Sequence, residues 1–209
     1  MMDRDSREDS IVLDLLERID DSEAVSQRSL ANELGIALGL TNAYIKRCIG
    51  KGLIKVSQAP ARRYKYYLTP HGFAEKSRLT AQFFTDSFTA FRRWRQSFDR
   101  LFAELEAKGV KTAALCGRGE LVEIAVLCGL NSSVEIVGIW NPSGHQSSVR
   151  GIAVIELGGA VDPDCWILAE NDSTQSAYAR LLDVVPAERI AVPYSLRRQI
   201  EAAPMVDKA

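Results

Sequence analysis

Histidine is scarce in this chain of 209 residues: there are two, His71 and His145, far apart in sequence. His71 falls at the start of a helical stretch and His145 in a polar loop. Neither has a cysteine or serine partner in a recognisable setting, and the sequence holds no G-x-S-x-G and no H-E-x-x-H. Asp162 and Asp164 flank Pro163 in a turn and read as solvated carboxylates. No residue set that carries catalysis emerges, so the chain is expected not to be an enzyme. The four cysteines (Cys48, Cys116, Cys128 and Cys165) lack C-x-x-C spacing and sit in apolar segments. They read as reduced core residues of a cytoplasmic protein, with neither a disulfide framework nor a metal site. No run of 18 or more apolar residues exists, which excludes a membrane-spanning helix. The opening MMDRDSREDS is acidic and polar, unlike a secretory signal.

The apolar share of 46% and charged share of 25% are ordinary for a globular chain long enough for two small domains. The net charge of −1 conceals a segregation. Residues 1–25 balance to −6, residues 26–100 to +10 and residues 101–209 to −5. A basic block between acidic ones is the footprint of a module that binds a polyanion.

That block begins with VSQRSLANELGIALGLTNAYIKRCIGKG, residues 25–52. Ser26 is placed to cap a helix whose apolar face is Leu30, Ala31 and Leu34. Gly35 lets the chain turn out of it. A second helix follows over about residues 38–50, with Thr41, Tyr44, Ile45, Cys48 and Ile49 inward and Gly39, Asn42, Lys46 and Arg47 outward. Small, amide and basic groups on one face suit a major groove, where an amide reads a base edge and cations meet phosphates. An ordinary pair of surface helices is the bland alternative, and the next segment lowers it. Residues 53–56 read as a strand, residues 57–61 as a turn containing Pro60, and residues 62–68 as a second strand. Tyr64, Tyr66 and Leu68 share one face of that strand, with Arg63, Lys65 and Tyr67 on the other. A helix-turn-helix followed by a basic hairpin is a winged helix. Ahead of it, residues 1–9 are expected to be disordered, and Ser10 to cap a back-wall helix carrying Ile11, Leu15 and Ile19, its acidic side turned away from DNA.

SQRSLANELGI, ALGLTNAYIKRCIGKGLIKV and RRYKYYLTPHGFAEKSRLT, in this order, resemble the winged-helix transcriptional regulators of the MarR type. The branch associated with exopolysaccharide gene clusters reads similarly through LTP-x-G-x-x-EK-x-RLT. The resemblance covers about residues 10–85 and implies a dimeric regulator that binds double-stranded DNA. Two positions depart from it: Ala37 stands where a Ser cap is usual, and Leu40 where a Lys is common. The DNA-facing residues expected are Ser26, Gln27, Arg28, Leu38, Gly39, Asn42, Lys46 and Arg47 from the helices, with Lys55, Arg62, Arg63 and Lys65 from the wing.

Thr69-Pro70 restarts the chain as a helix, with the threonine as cap and the proline at the first position. Proline is then absent to residue 108, and no glycine follows Gly72 before Gly109. An unbroken helix of that length reaches roughly 50 Å. Phe84, Phe91, Phe98 and Leu105 recur every seven residues, flanked by Phe88, Phe102, Trp94 and Leu101. Such a stripe packs either on its own domain or against a second copy, and the second reading is favoured because a small winged helix has little surface to cover so many aromatics. The expected homodimer contacts are Phe84, Phe88, Phe91, Trp94, Phe98 and Phe102.

From Gly109 onward, strands alternate with helices. Strands are expected over residues 111–116, 134–140, 152–155, 164–169 and 189–192, and helices over 121–128 and 173–182, with a polar loop at 141–149. This pattern implies a mostly parallel sheet covered on both faces. The overall expectation is an α+β winged helix domain (1–70), a long helix (71–108) and an α/β Rossmann-like domain (109–209). The first strand is followed by Gly117-Arg118-Gly119-Glu120-Leu121, a partial G-x-G-x-x-G with Val122 in place of the third glycine. The carboxylate that would hold a ribose at the end of the next strand is absent, because Asn141 stands there, and this argues against NAD. The order of GRGEL, VEIVGIW, RGIAVIEL and WILAENDSTQSAYARLL resembles the small Rossmann-like domains of sugar-modifying acyltransferases and polysaccharide-biosynthesis proteins. That layout implies a ligand-sensing domain whose effector is a nucleotide or nucleotide sugar. Its site would comprise Gly117, Arg118, Gly119, Glu120, Leu121, Asn141 and Asn171. Glu170, Asn171 and Asp172, at the end of the fourth strand, would form the opposite lip of the pocket; for Asn171 and Asp172, capping of the following helix is an equal alternative. Rival readings are a Rex-like redox repressor, a nucleotide-sugar enzyme with a regulatory winged helix, and a scaffold that binds no ligand.

Overall fold

The computed structural model describes residues 4–21, 26–59, 63–141, 148–149 and 151–201. Two compact units divide the chain, Met1–Phe88 and Thr89–Ala209.

The first unit opens with α1, Arg4–Asp21. Its start corrects the expectation of disorder up to residue 9 and a cap at Ser10. Acidic side chains such as Glu8 and Asp9 near a helix N-terminus are favoured by the helix dipole, and Glu8 pairs with Arg47. Leu15, Leu16 and Ile19 of α1 meet Leu30 of α2 (Gln27–Glu33), Ile45 and Cys48 of α3 (Leu38–Gly50), and Leu53, Ile54, Tyr66 and Leu79 in one core. The cap on α2 is as expected: the Ser26 Oγ accepts from the Ser29 N–H at 3.0 Å. Gly35 turns the chain with φ 62°. On α3, Thr41, Ile45 and Cys48 are buried, but Ile49 is 38% exposed, which removes it from the expected inward face. The wing consists of β1, Ile54–Ala59, and β2, Arg63–Leu68, paired antiparallel from Ile54↔Leu68 to Ala59↔Arg63. Pro60 and Arg62 lie outside the described residues.

Thr69 ties the wing to α4, Pro70–Ala107. Its Oγ1 accepts from the Gly72 N–H at 2.9 Å and donates to the Gly52 carbonyl at 2.6 Å. A Cβ on Gly72 would lie 2.1 Å from the Leu53 carbonyl oxygen, so only glycine lets the first turn press on the wing. Residues 81–93 of α4 are all exposed.

The later turns of α4 belong to the second unit, where Phe98, Leu101, Phe102 and Leu105 are buried and Trp94 packs against the same core. This corrects the expectation that Trp94, Phe98 and Phe102 face a second copy. The strands of the sheet they cover are β3 (Thr112–Gly117), β4 (Glu135–Trp140), β7 (Cys165–Ala169) and β8 (Ile190–Ala191). They are all parallel, in the order β4-β3-β7-β8. Helix α5, Glu120–Gly129, makes the crossover from β3 to β4, and α6, Thr174–Leu182, that from β7 to β8. The two crossovers run in opposite directions along the sheet, so right-handed connections put the helices on opposite faces. Within the connection from β4 to β7, β5 (Ser148–Val149) pairs with β6 (Ile152–Ala153). His145 and most of the expected 141–149 loop lie outside the described residues. A final helix, α7 (Tyr194–Glu201), was not anticipated; it buries Leu196. The four cysteines are buried and free, and burial pushes their thiols up, Cys165 to about 11, so none is a ready nucleophile near neutral pH.

Asp164 is a staple in the sheet and not a merely solvated carboxylate. Its Oδ2 accepts the backbone N–H groups of Lys111 and Thr112, each at 2.9 Å, and these hold its carboxyl below the usual range. A depressed folded-state pKa gives stabilisation that is present above the unfolded value, about 3.9, and lost as pH falls through the folded value. Asp164→Asn should therefore be less stable than wild type at neutral pH, with the gap closing below about pH 4. Trp94, Trp140 and Trp166 all belong to this unit, so their fluorescence during urea unfolding reads it directly. A gap that stays constant from pH 7 to pH 3 would show that the staple is not the source.

Candidate functional site

Two surfaces stand out, one in each unit. On the first, α3 turns Gly39, Leu40, Ala43, Lys46, Arg47 and Gly50 outward. Successive residues turn by about 100°, which centres this face on Ala43. Asn42 sits on its flank, half-buried, with its Oδ1 buried and without a hydrogen-bond partner among the described residues. This corrects its assignment as the exposed base reader. Gln27 is also committed elsewhere: its Nε2 donates to the Tyr66 hydroxyl at 2.9 Å and so fixes α2 against the wing. Ser26 is spent on its cap. Arg28 and Leu38 are exposed. Arg47 pairs with Glu8, and its guanidinium carbon lies 5.0 Å from the centre of the Tyr44 ring. On the wing, Lys55 and Lys65 share a face with Ser57 and Tyr67 through the pairs Lys55↔Tyr67 and Ser57↔Lys65. Arg63 belongs to the same strand, while Arg62 falls outside the described residues. Lysines between an aromatic ring and a hydroxyl form a strip suited to a sugar-phosphate backbone.

The second surface is the edge of the parallel sheet where β3, β4 and β7 end together, the usual ligand position in open α/β sheets. The two glycines there have different roles. A Cβ on Gly117 (φ 148°) would stand 2.1 Å from the Ala169 carbonyl oxygen, so this glycine lets the ends of β3 and β7 touch. Gly119 precedes α5 with φ 68° and ψ −152°, and a Cβ there would meet nothing within 4 Å. Only Gly119 therefore leaves open space above a helix N-terminus. Leu121 is buried in the core, which corrects its place among the ligand contacts. Glu120 is exposed in the first turn of α5.

Glu170, expected only as part of the lip of this edge, is buried and tied into it. It is 2% exposed at the end of β7. Its Oε1 accepts from the Asp172 N–H at 3.1 Å and the Ser173 N–H at 3.4 Å. Its Oε2 faces the Arg118 Nε at 3.7 Å, and Arg118 also reaches Asp172 at 4.0 Å. A carboxylate placed directly after the apolar run WILA was the signal available. Asn141 is buried at the end of β4, beside Trp140, over which Arg180 stacks at 5.2 Å. Asn171 is exposed, and its Oδ1 accepts from the Gln199 Nε2 at 3.2 Å, a link to α7. Among the described residues, no group of three or more His, Cys, Asp or Glu could hold a metal ion.

Residues 8–55 match the winged helix-turn-helix DNA-binding family. The N-terminal unit is a winged helix-turn-helix. No curated protein is matched by the sequence. Among solved structures, MepR of Staphylococcus aureus, a transcription regulator of the multidrug efflux pump MepA, is 18% identical, with a TM-score of 0.34. The match covers 39% of this chain and 59% of that one, so the chain spans about three-fifths of its length. A MarR family protein of Mycobacterium tuberculosis in complex with p-aminosalicylic acid is 18% identical over 46% of this chain and 77% of its own, with a TM-score of 0.36. Human N-acetylserotonin methyltransferase in complex with SAM is 14% identical over 96% of this chain and 79% of its own, again with a TM-score of 0.36. This neighbour overturns the expectation that the chain is not an enzyme. The missing motifs do not by themselves exclude enzymatic activity. Among the described residues, no helix is long and apolar enough to cross a membrane.

Proposed function

We propose that the chain is a dimeric transcription regulator of the MarR type whose C-terminal α/β domain binds a small acidic ligand. The observation that carries the reading is the outward face of α3. It presents the small residues Gly39, Ala43 and Gly50 with Lys46 among them, beside a lysine-bearing wing, in the most basic part of the chain. A face without bulk can enter a major groove closely, and two such faces in a dimer would meet half-sites about 34–36 Å apart. Phe84, Phe88 and Phe91, each at least 40% exposed on α4, supply an apolar stripe for a second copy. The ligand reading rests on Gly119, Arg118 and Glu170: open space at the α5 N-terminus beside a cation and a buried carboxylate. A nucleotide or nucleotide sugar carries the phosphate and hydroxyls these groups match. Such a ligand alters DNA affinity only by favouring one dimer geometry over another. Control of polysaccharide genes is the biological setting the sequence resemblance suggests. A cytoplasmic location goes with it, since the partner is DNA.

One titration series tests both halves. Binding to a labelled duplex is measured from low to high salt for wild type and for Lys46→Ala with Lys55→Ala. Two lost phosphate contacts should flatten the slope of log K against log salt by about 1.8 and weaken binding to every sequence. The series is repeated with nucleotides, nucleotide sugars, NAD and SAM. A shift in DNA affinity with one of them supports the sensor. An unchanged slope in the double variant removes α3 and the wing from the interface.

A further inference from the structure

The N-terminal half of α1 reaches the reading helix, although its acidity suggested a side turned away from DNA. Glu8 forms an ion pair with Arg47, whose guanidinium also lies over the Tyr44 ring. Both members are accessible, Arg47 at 42% and Glu8 at 34% side-chain exposure. Arg47 stands at the edge of the outward face of α3, one turn after Ala43. A carboxylate is thus seated on one of the cations that a phosphate would otherwise take.

We propose that Glu8 is a competitor built into the DNA-facing surface. It occupies Arg47 until a phosphate at a well-fitted site displaces it. Rim charges attract any duplex through the counterions they release, so each free cation raises affinity for all sequences alike. With Arg47 paired, its charge is withheld from random DNA, where contact is loose and the carboxylate is not displaced. At a fitted site the groove brings a phosphate within reach, and Arg47 exchanges one anion for another. Stacking on Tyr44 keeps the guanidinium in place during the exchange. Glu8 therefore acts as a positioning residue through Arg47, and it raises the ratio of specific to non-specific binding.

This proposal rests on the reading that α3 faces DNA, and the experiment separates the two. Full-length wild type, Glu8→Gln, Arg47→Ala and the double variant are titrated against a random duplex and against a duplex enriched by the wild type from a random pool. Glutamine suits a helix, so α1 is preserved. Glu8→Gln should bind random duplex about two- to fivefold tighter at low salt, the range set by an exposed ion pair. Its salt slope should steepen by about 0.9, one more phosphate contact. Its gain on the enriched duplex should be smaller, and both effects should vanish in the Arg47→Ala background. Asp14→Asn removes an exposed acid about 240° around the same helix and controls for net charge. If Glu8→Gln leaves the random-duplex slope unchanged, acts equally with Arg47 absent, or is reproduced by Asp14→Asn, the proposal is overturned while α3 stays at the interface. If Arg47→Ala alone alters no duplex, Arg47 is no DNA contact and both readings of it fall.

Discussion

Phe98→Ala should destabilise the C-terminal unit by about 3–5 kcal/mol, the usual cost of emptying a buried phenylalanine site. Phe98 is fully buried, and it packs with Leu101, Phe102 and Leu105 of its own helix and with sheet residues such as Leu115 and Ile167 in one core. Urea unfolding followed by tryptophan fluorescence should show a transition displaced to much lower urea. Phe84→Ser with Phe88→Ser should behave oppositely. These side chains are 55% and 63% exposed, so their loss should leave the fluorescence transition in place. Burying each ring against a partner is worth roughly 1.5–3 kcal/mol, so on the proposed dimer wild type should sediment as a dimer and the same double variant as a monomer. A Phe98→Ala transition at the wild-type urea concentration would mean that the ring is not part of the core.

That contrast marks how far sequence could go. The seven-residue spacing of Phe84, Phe91 and Phe98 was legible, but a helix stripe has the same spacing whether it meets its own sheet or another chain. The structure divides it, with the later residues buried under the sheet and the earlier ones exposed. Gly117 and Gly119 pose the same difficulty. Both fit a phosphate-binding turn, yet Gly117 is required by the approach of Ala169, a contact invisible in a linear motif. Leu121 looked like part of that turn because it adjoins Glu120, but the helix carries it inward.

The winged helix was more legible because its signals are local. The Ser26 cap, the inward Leu30 and Ile45, the two-residue alternation of Tyr64, Tyr66 and Leu68, and the Thr69-Pro70 start each follow from short-range geometry. The misplacements within it come from angles finer than a motif resolves. Asn42 is next to Thr41 and lies about 100° from Ala43, on the flank of the face and not at its centre. Glu8 reads as part of a charged tail until Arg47 is seen beside it. Helix α7 escaped notice because YSLRRQIE holds two aliphatic residues, the buried Leu196 and the partly buried Ile200, too few for a legible stripe.

Ala43 lies at the centre of the outward face of α3, and the reading of this chain as a DNA-binding regulator depends on that face entering a groove. Ala43→Glu adds bulk and negative charge where a phosphate-lined groove would close on the helix. Like charges brought together at an interface cost several kcal/mol, which corresponds to at least about a 100-fold loss of affinity. The residue is exposed and glutamate is a good helix former, so thermal unfolding should be unchanged. The decisive measurement is fluorescence anisotropy of a labelled duplex, enriched by the wild type from a random pool, titrated with wild type and with Ala43→Glu at one fixed salt concentration. Loss of binding by about 100-fold or more in a variant with wild-type thermal stability is the predicted result. Affinity within about twofold of wild type would contradict it and take α3 out of the groove.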